Sequence, residues 1–151
     1  MKEFFADPMV QEYLSGLGVT AYLTLACTLA AYVIGVPIGV ILTVTDKDGI
    51  RPNRIVNAVL GFIVNIFRSV PFIILLVIVL PLTKLIVGTK VGNAAFMVPL
   101  IIAAAPFVAR MTESSLKEVD SGVIEAAQAM GSTNFQIIRK VLIPEAKPSL
   151  I

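Results

Sequence analysis

The chain of 151 residues has no histidine. That removes the commonest metal ligand and the side chain best placed for acid–base work near neutral pH. Its one cysteine, Cys27, lies within an apolar stretch, which excludes a disulfide framework and reads as a small buried hydrophobe. No GxxxxGKS/T phosphate loop is present, so nucleotide is not bound by that route. HExxH and GxSxG are missing too, and the apolar stretches hold no Asp or Glu, which argues against an intramembrane enzyme. Lys and Arg are scattered, without the basic stripe that would suggest a nucleic-acid partner.

Charge is missing over long reaches. Residues 13–45 carry none, 55–83 carry only Arg68, and 91–109 again carry none. With 57% hydrophobic residues and a net charge of +2, the chain exceeds the roughly 45–50% apolar content of a soluble domain. A bilayer core about 30 Å thick needs a helix of about 20 apolar residues. The third stretch, at 19 residues, just meets this, and the first two exceed it and must tilt, kink or extend beyond the core. Residues 1–12 hold one Lys against Glu3, Asp7 and Glu12, and the apolar run after them is too long for a signal-peptide core, so the first span reads as retained. The expected fold class is an all-α integral membrane bundle. It divides into an extracytoplasmic segment (1–18), three spans (19–111) and a polar cytoplasmic region with the start of a fourth span (112–151).

In the first span, Val19 to Val44, residues Thr20, Thr24, Thr28, Ala31, Gly35 and Gly39 form a face of small side chains. Gly35 and Gly39 make a small-xxx-small pair suited to close helix packing, and Pro37 is expected to kink the helix near its end. Residues 46–54 read as a turn. In the second stretch Asn57, Gly61, Asn65 and Arg68 share a helical face, interrupted by Pro71. Either 55–75 crosses the membrane, or 70–88 does so behind an approach helix. Asn57, Asn65 and Arg68 are candidates for a translocation pathway. The two asparagines read as helix-contact residues first. Arg68 either lines the path or braces helices near a substrate carboxylate, or else reaches for an interface from a shorter span. Residues 84–92 form a second loop. The third span, Asn93 to Met111, is Ala-rich and carries Pro99 and Pro106, which suits a bent helix beside a cavity.

Beyond it the composition changes. Residues 121–130 predict a short helix, with Asp120 or Ser121 as cap and Gly131 as its stop. Thr133 and Gln136 make a possible capping box for a second helix ending before Pro144. Placing 46–54, the end of the third span with Arg110, and 112–149 together in the cytoplasm sets eight Lys/Arg on that side against three on the other, which puts the N-terminus outside.

Glu125-Ala126-Ala127, three residues, Gly131, nine residues and Val141-Leu142-Ile143-Pro144 resemble the EAA loop of permease subunits in type I ABC importers. Arg68-Ser69-Val70-Pro71-Phe72 is similar to a segment of the amino-acid importers in that class, and the layout looks most like the D-/L-methionine branch. The resemblance implies a bacterial inner-membrane permease that does no covalent chemistry and binds no cofactor itself. ATP and Mg would sit on a partner ABC ATPase, with a second permease copy and an extracytoplasmic substrate-binding lipoprotein as further partners and lipid around the spans. Glu125, Ala126, Ala127, Gly131, Ile143 and Pro144 would then dock on the ATPase, with Ala126, Ala127 and Ala129 allowing close approach. It also implies about five spans, so two more would follow the loop where the sequence reaches Ile151, and transport by these residues alone is not expected. The alternative is a channel or secondary carrier, which explains the spans and Arg68 but not the loop spacing.

Overall fold

A computed structural model describes residues 8–150, and the side chain of Leu150 is left out of account. Every regular element in that range is helical: α1 Pro8–Thr45, α2 Arg54–Ser69, α3 Phe72–Val87, α4 Asn93–Lys117, α5 Ser121–Ala129, α6 Asn134–Ile137, a π-turn Ile138–Leu142 and α7 Ile143–Leu150. Residues 1–7 of the expected N-terminal segment lie outside the described residues, whereas 8–18 already belong to α1.

The organising contact is between α1 and α4. Cys27 lies near Met97, Gly35 near Ala105 and Val108, and Gly39 near Ala109 and Thr112, so the two helices run parallel. Both glycines are needed for this approach. A Cβ on Gly35 would stand 2.7 Å from the Ala105 carbonyl oxygen, and one on Gly39 would stand 2.6 Å from that of Ala109. In lipid, apolar side chains gain nothing by leaving hydrocarbon, and close van der Waals contact through small residues holds helices together. The buried line on α1 is Cys27, Ala31, Gly35, Gly39, Leu42 and Thr43. Thr20, Thr24 and Thr28 on the expected small-residue face are exposed, and the buried line begins only at Cys27. Thr20 Oγ1 instead donates to the carbonyl of Gly16 at 2.8 Å. The outer surfaces of α1 and α3 carry exposed Leu25, Leu29, Val33, Ile73, Val77 and Leu85, while α1 turns Cys27, Ala31, Gly35 and Gly39 inward and α3 turns Leu75 and Val79 inward.

Between these helices the chain returns through a broken pair. The Oδ1 of Asn53 accepts from the Val56 N–H at 3.2 Å and starts α2. Val70 adopts an extended conformation, φ −82° and ψ 124°, as a residue before proline is biased to do. The chain turns by 113° there, between α2 and α3. This divides the second stretch into two helices, Arg54–Ser69 and Phe72–Val87. Helices α1 and α4 are each long and apolar enough to cross a membrane, and the bent pair makes a third crossing if counted as one. Pro37, Pro99 and Pro106 lie inside helices that continue through them, and α4 continues past Met111 to Lys117. The loop expected from residue 84 begins only at Gly88, whose φ of 82° closes α3.

Two apolar clusters lie toward the end of the bundle where α1 and α4 finish. Leu42, Val64 and Ala109 join α1, α2 and α4, with Ile38 and Leu60 against them. Leu116, Leu142 and Ala146 join α4 to the polar C-terminal region, with Val40, Val119 and Ile124 alongside.

Replacing Gly39 by valine is expected to cost about 1–3 kcal/mol or more, because the blocking atoms are backbone and Cβ. Gly16→Ala, with nothing within 4 Å of the added carbon, is expected to be neutral or slightly stabilising. Thermal unfolding of both variants in detergent checks the contrast.

Candidate coupling surface

Helix α5 is capped by Asp120, whose carboxylate accepts from the Gly122 N–H at 2.7 Å. It stops at Gly131, where φ is 79° and the backbone is left-handed, a conformation that costs an L side chain about 1–2 kcal/mol. Thr133 and Gln136 close the capping box in both directions. The Gln136 Oε1 accepts from the Thr133 N–H at 2.9 Å, and the Thr133 Oγ1 accepts from the Gln136 N–H at 3.4 Å. The result is helix, left-handed glycine, helix.

The second helix does not end before Pro144, as the sequence reading expected. Its backbone widens into a π-turn over Ile138–Leu142, in which the Ile143 N–H reaches the Ile138 carbonyl, and α7 follows with Pro144 in its first turn. A π-turn leaves one carbonyl without its usual i+4 donor, and a proline supplies no N–H. The two irregularities coincide, so the rod continues. Ser115 Oγ then donates to the Ser149 carbonyl at 3.2 Å, and Ser149 Oγ donates to Glu118 at 2.7 Å, tying α7 back to the end of α4.

Burial separates anchors from surface. Ala127, Ile137, Leu142 and Ala146 are buried. Glu125, Ala126, Ala129, Gly131, Ile143 and Pro144 are exposed. Ala127 therefore faces its own chain, where its small size fits α5 against the fold, and does not offer the open surface expected of it. Two residues that the sequence reading passed over stand out instead: Met130 is 80% exposed and Phe135 68% exposed, one on each side of Gly131. The available signal was a large apolar side chain beside a glycine stop and another inside a capping box, on helices too short to bury every apolar group.

An ionic network underlies this element. Lys117 Nζ lies 2.6 Å from Asp46 Oδ2 and 2.8 Å from Glu113 Oε1. Arg110 donates to the other oxygen of Glu113, and its Nη2 donates to Asn65 Oδ1 at 2.8 Å. Glu113 is only 5% exposed, and two cations hold it in place. The Lys117 ammonium bonded to Asp46, together with the Lys47 backbone N–H, holds the Asp46 carboxyl below its ordinary 3.8. The loop after α1 is thereby fastened, and the Arg51 and Asn53 N–H groups close back on the Val44 and Thr45 carbonyls. A cavity of about 440 Å³ lies between this loop, the end of α4 and α5, with Asp46, Lys117, Ile124, Glu125 and Gln128 in its wall.

The candidate pathway residues separate. Asn57 Nδ2 donates to the Leu42 carbonyl at 2.7 Å, and Asn65 is engaged by Arg110, so both serve helix contacts. Arg68 is exposed just before the bend and makes no hydrogen bond or ion pair among the described residues. No metal-binding cluster occurs among the described residues.

Two long apolar helices, a broken helix pair and a C-terminal helix–glycine–helix element are the pattern of a membrane transport component. The chain belongs to the family of binding-protein-dependent transport system inner membrane components, whose model matches residues 35–151. It is 52% identical over 132 residues to the probable D-methionine transport system permease protein MetI of Vibrio cholerae, covering 87% of this chain and 59% of that protein. It is 48% identical over 146 residues to the D-methionine transport system permease protein MetI of Escherichia coli K12, covering 97% and 67%. Among solved structures, an inward-facing conformation of the MetNI methionine ABC transporter superposes with a TM-score of 0.93 at 49% identity, over 95% of this chain and 67% of that one. An amino acid ABC transporter solved with histidines, 22% identical with a TM-score of 0.60, shares the fold. The chain thus spans about three-fifths to two-thirds of the length of these relatives.

Glu113→Ala is expected to destabilise by about 1–3 kcal/mol, less than the ~3–5 of a fully buried pair because both cations are partly exposed. Denaturant unfolding in detergent measures it. Because the folded state lowers the Asp46 pKa, its contribution is complete above the ordinary 3.8 and is lost as pH falls through the lowered value. Amide exchange over residues 46–53 is expected to quicken only below about pH 4, and Asp46→Asn to remove that acid dependence.

Proposed function

We propose that this chain is the greater part of a permease subunit that carries methionine, including its D-isomer, into the cell at the expense of ATP hydrolysed by a separate ABC ATPase. The observation carrying this reading is the loop itself. The Glu125-Ala126-Ala127…Gly131…Pro144 spacing is built as an exposed element on buried anchors, in a chain about half identical to D-methionine permeases. The complete subunit pairs with a second copy and receives its cargo from an extracytoplasmic binding lipoprotein. The end bearing Asp46, Lys117 and α5 faces the cytoplasm, in keeping with the Lys/Arg imbalance.

In this reading the ATPase grips α5, Gly131 and α6. Glu125 offers a carboxylate to an arginine or to backbone N–H groups. Ala126 and Ala129 let a partner surface come close, and Met130 and Phe135 supply the apolar anchors that dominate most interfaces. Gly131 fixes the angle between the arms. Exposed Ile143 and Pro144 border the grip, while Ala127 supports it from beneath. ATP and Mg remain on the partner. Closure of the ATPase dimer displaces the element, and the packed helices follow as a rigid group from inward- to outward-facing. Arg68, unpaired among the described residues, is the remaining pathway candidate.

In the complete subunit, Glu125→Lys is expected to abolish methionine uptake and its coupling to ATP hydrolysis while membrane insertion stays normal. Phe135→Asp is expected to cut co-purification of the cognate ATPase about thirtyfold or more, as loss of an interface anchor does. Normal uptake in reconstituted vesicles for both variants refutes the docking role. Arg68→Ala with unchanged affinity and transport removes Arg68 from the pathway.

A further inference from the structure

The last turns of α4 carry Glu113 and Lys117 on one face, where the bundle meets the loop element. Lys117 reaches back to Asp46, beyond the end of α1, at 2.6 Å. Glu113 reaches to Arg110, which in turn holds Asn65 on α2 at 2.8 Å. Four polar side chains and one amide therefore join α1, α2 and α4 at one level. At that level α5 is not packed tightly on the loop after α1, since the cavity of about 440 Å³ separates them and Lys117 stands in its wall beside Ile124 and Glu125. The apolar contact Leu116–Leu142–Ala146 carries a push on the element into α4. A push toward the loop meets open space and would be absorbed there, unless the ends of the three helices are joined to one another.

We propose that Asp46, Lys117, Glu113 and Arg110 form an ionic latch that makes the ends of α1, α2 and α4 move as one body when the coupling element is displaced. Lys117 and Glu113 are thus positioning residues for coupled transport. The inference rests on the coupling reading above. Charge suits the task better than apolar contact at this end, because the groups border water and an open cavity. Short charge-assisted hydrogen bonds are directional and fix register, whereas an apolar contact across a void fixes nothing. The buried Glu113 carboxylate holds both cations at once, so losing either partner loosens two helix ends together.

The test uses the complete subunit with its cognate ATPase in lipid vesicles, comparing Lys117→Met, Asp46→Asn and Lys117→Arg with the unmodified protein. ATPase retention on purification, ATP hydrolysis and methionine uptake per ATP are measured together. Lys117→Met is expected to keep the ATPase bound and hydrolysing while uptake per ATP falls about tenfold or more, within the range of ordinary coupling energies. Asp46→Asn, a partly exposed isosteric change, is expected to lower the same ratio by a smaller factor, and Lys117→Arg to preserve it. An unchanged ratio in both Lys117→Met and Asp46→Asn overturns the latch. So does a parallel loss of protein, hydrolysis and uptake, which marks a structural prop alone. If the unmodified subunit retains no ATPase, the coupling reading itself has failed and the latch falls with it.

Discussion

The backbone approach of α1 to α4 is the contact on which the remaining geometry rests. Membrane helices cannot rely on expulsion of apolar surface from water, since lipid tails are as apolar as leucine. Here Gly35 and Gly39 remove the side chains that would hold the helices apart, so the Ala105 and Ala109 carbonyl oxygens sit only 2.7 and 2.6 Å from where their Cβ atoms would be. Because the helices run parallel, this approach sets their ends side by side. Asp46 then comes within reach of Lys117, and Leu42 and Ala109 close over Val64 of α2. A separation larger by the width of one methyl group would disturb both.

Around that seam, polarity is sorted by position along the helix axes. The upper turns hold no ion pairs among the described residues, and the network gathers where α1 and α4 end. Anchors and outward groups alternate over a few residues of the loop element. Ile137 and Leu142 turn inward while Phe135 and Ile143 turn outward, which gives the element a firm base without burying its working surface. A buried carboxylate such as Glu113 is poor evidence of net stability, because desolvation offsets much of the attraction. Its better-supported contribution is to select one arrangement of three helix ends.

Much of this was legible in the residues, and the exceptions have physical causes. Helix limits were readable where a cap or stop made them local: Asp120, Gly131, and the Thr133–Gln136 pair each act within one turn. The break at Pro71 was readable for the same reason, although which half crossed the membrane was not. Pro144 misled because the usual rule treats a missing N–H as a helix end. A π-turn absorbs it, and nothing in the local pattern separates the two outcomes. Thr20, Thr24 and Thr28 share the face of Gly35 and Gly39 in sequence, but only from Cys27 onward does that face turn buried residues toward α4, and the threonines stay exposed. Arg110, Glu113 and Lys117 looked like dispersed charge. Their partners Asp46 and Asn65 lie far away in sequence, and only the fold reveals them. Ala127, one residue from two exposed neighbours, shows that a motif fixes residue identity more tightly than it fixes orientation.

One consequence follows from the unbroken length of α1. At about 1.5 Å per residue, its 38 residues extend roughly 57 Å, nearly twice the thickness of a hydrocarbon core of about 30 Å. Even a steep tilt leaves several turns standing clear of the acyl chains, on the side away from the ionic cluster. Tyr13 is exposed along that overhang, and tyrosine favours the headgroup layer. The helix therefore has reserve to slide against a thicker or thinner bilayer without uncovering backbone, so changes in lipid thickness can be taken up at the far end while the packed end stays undisturbed.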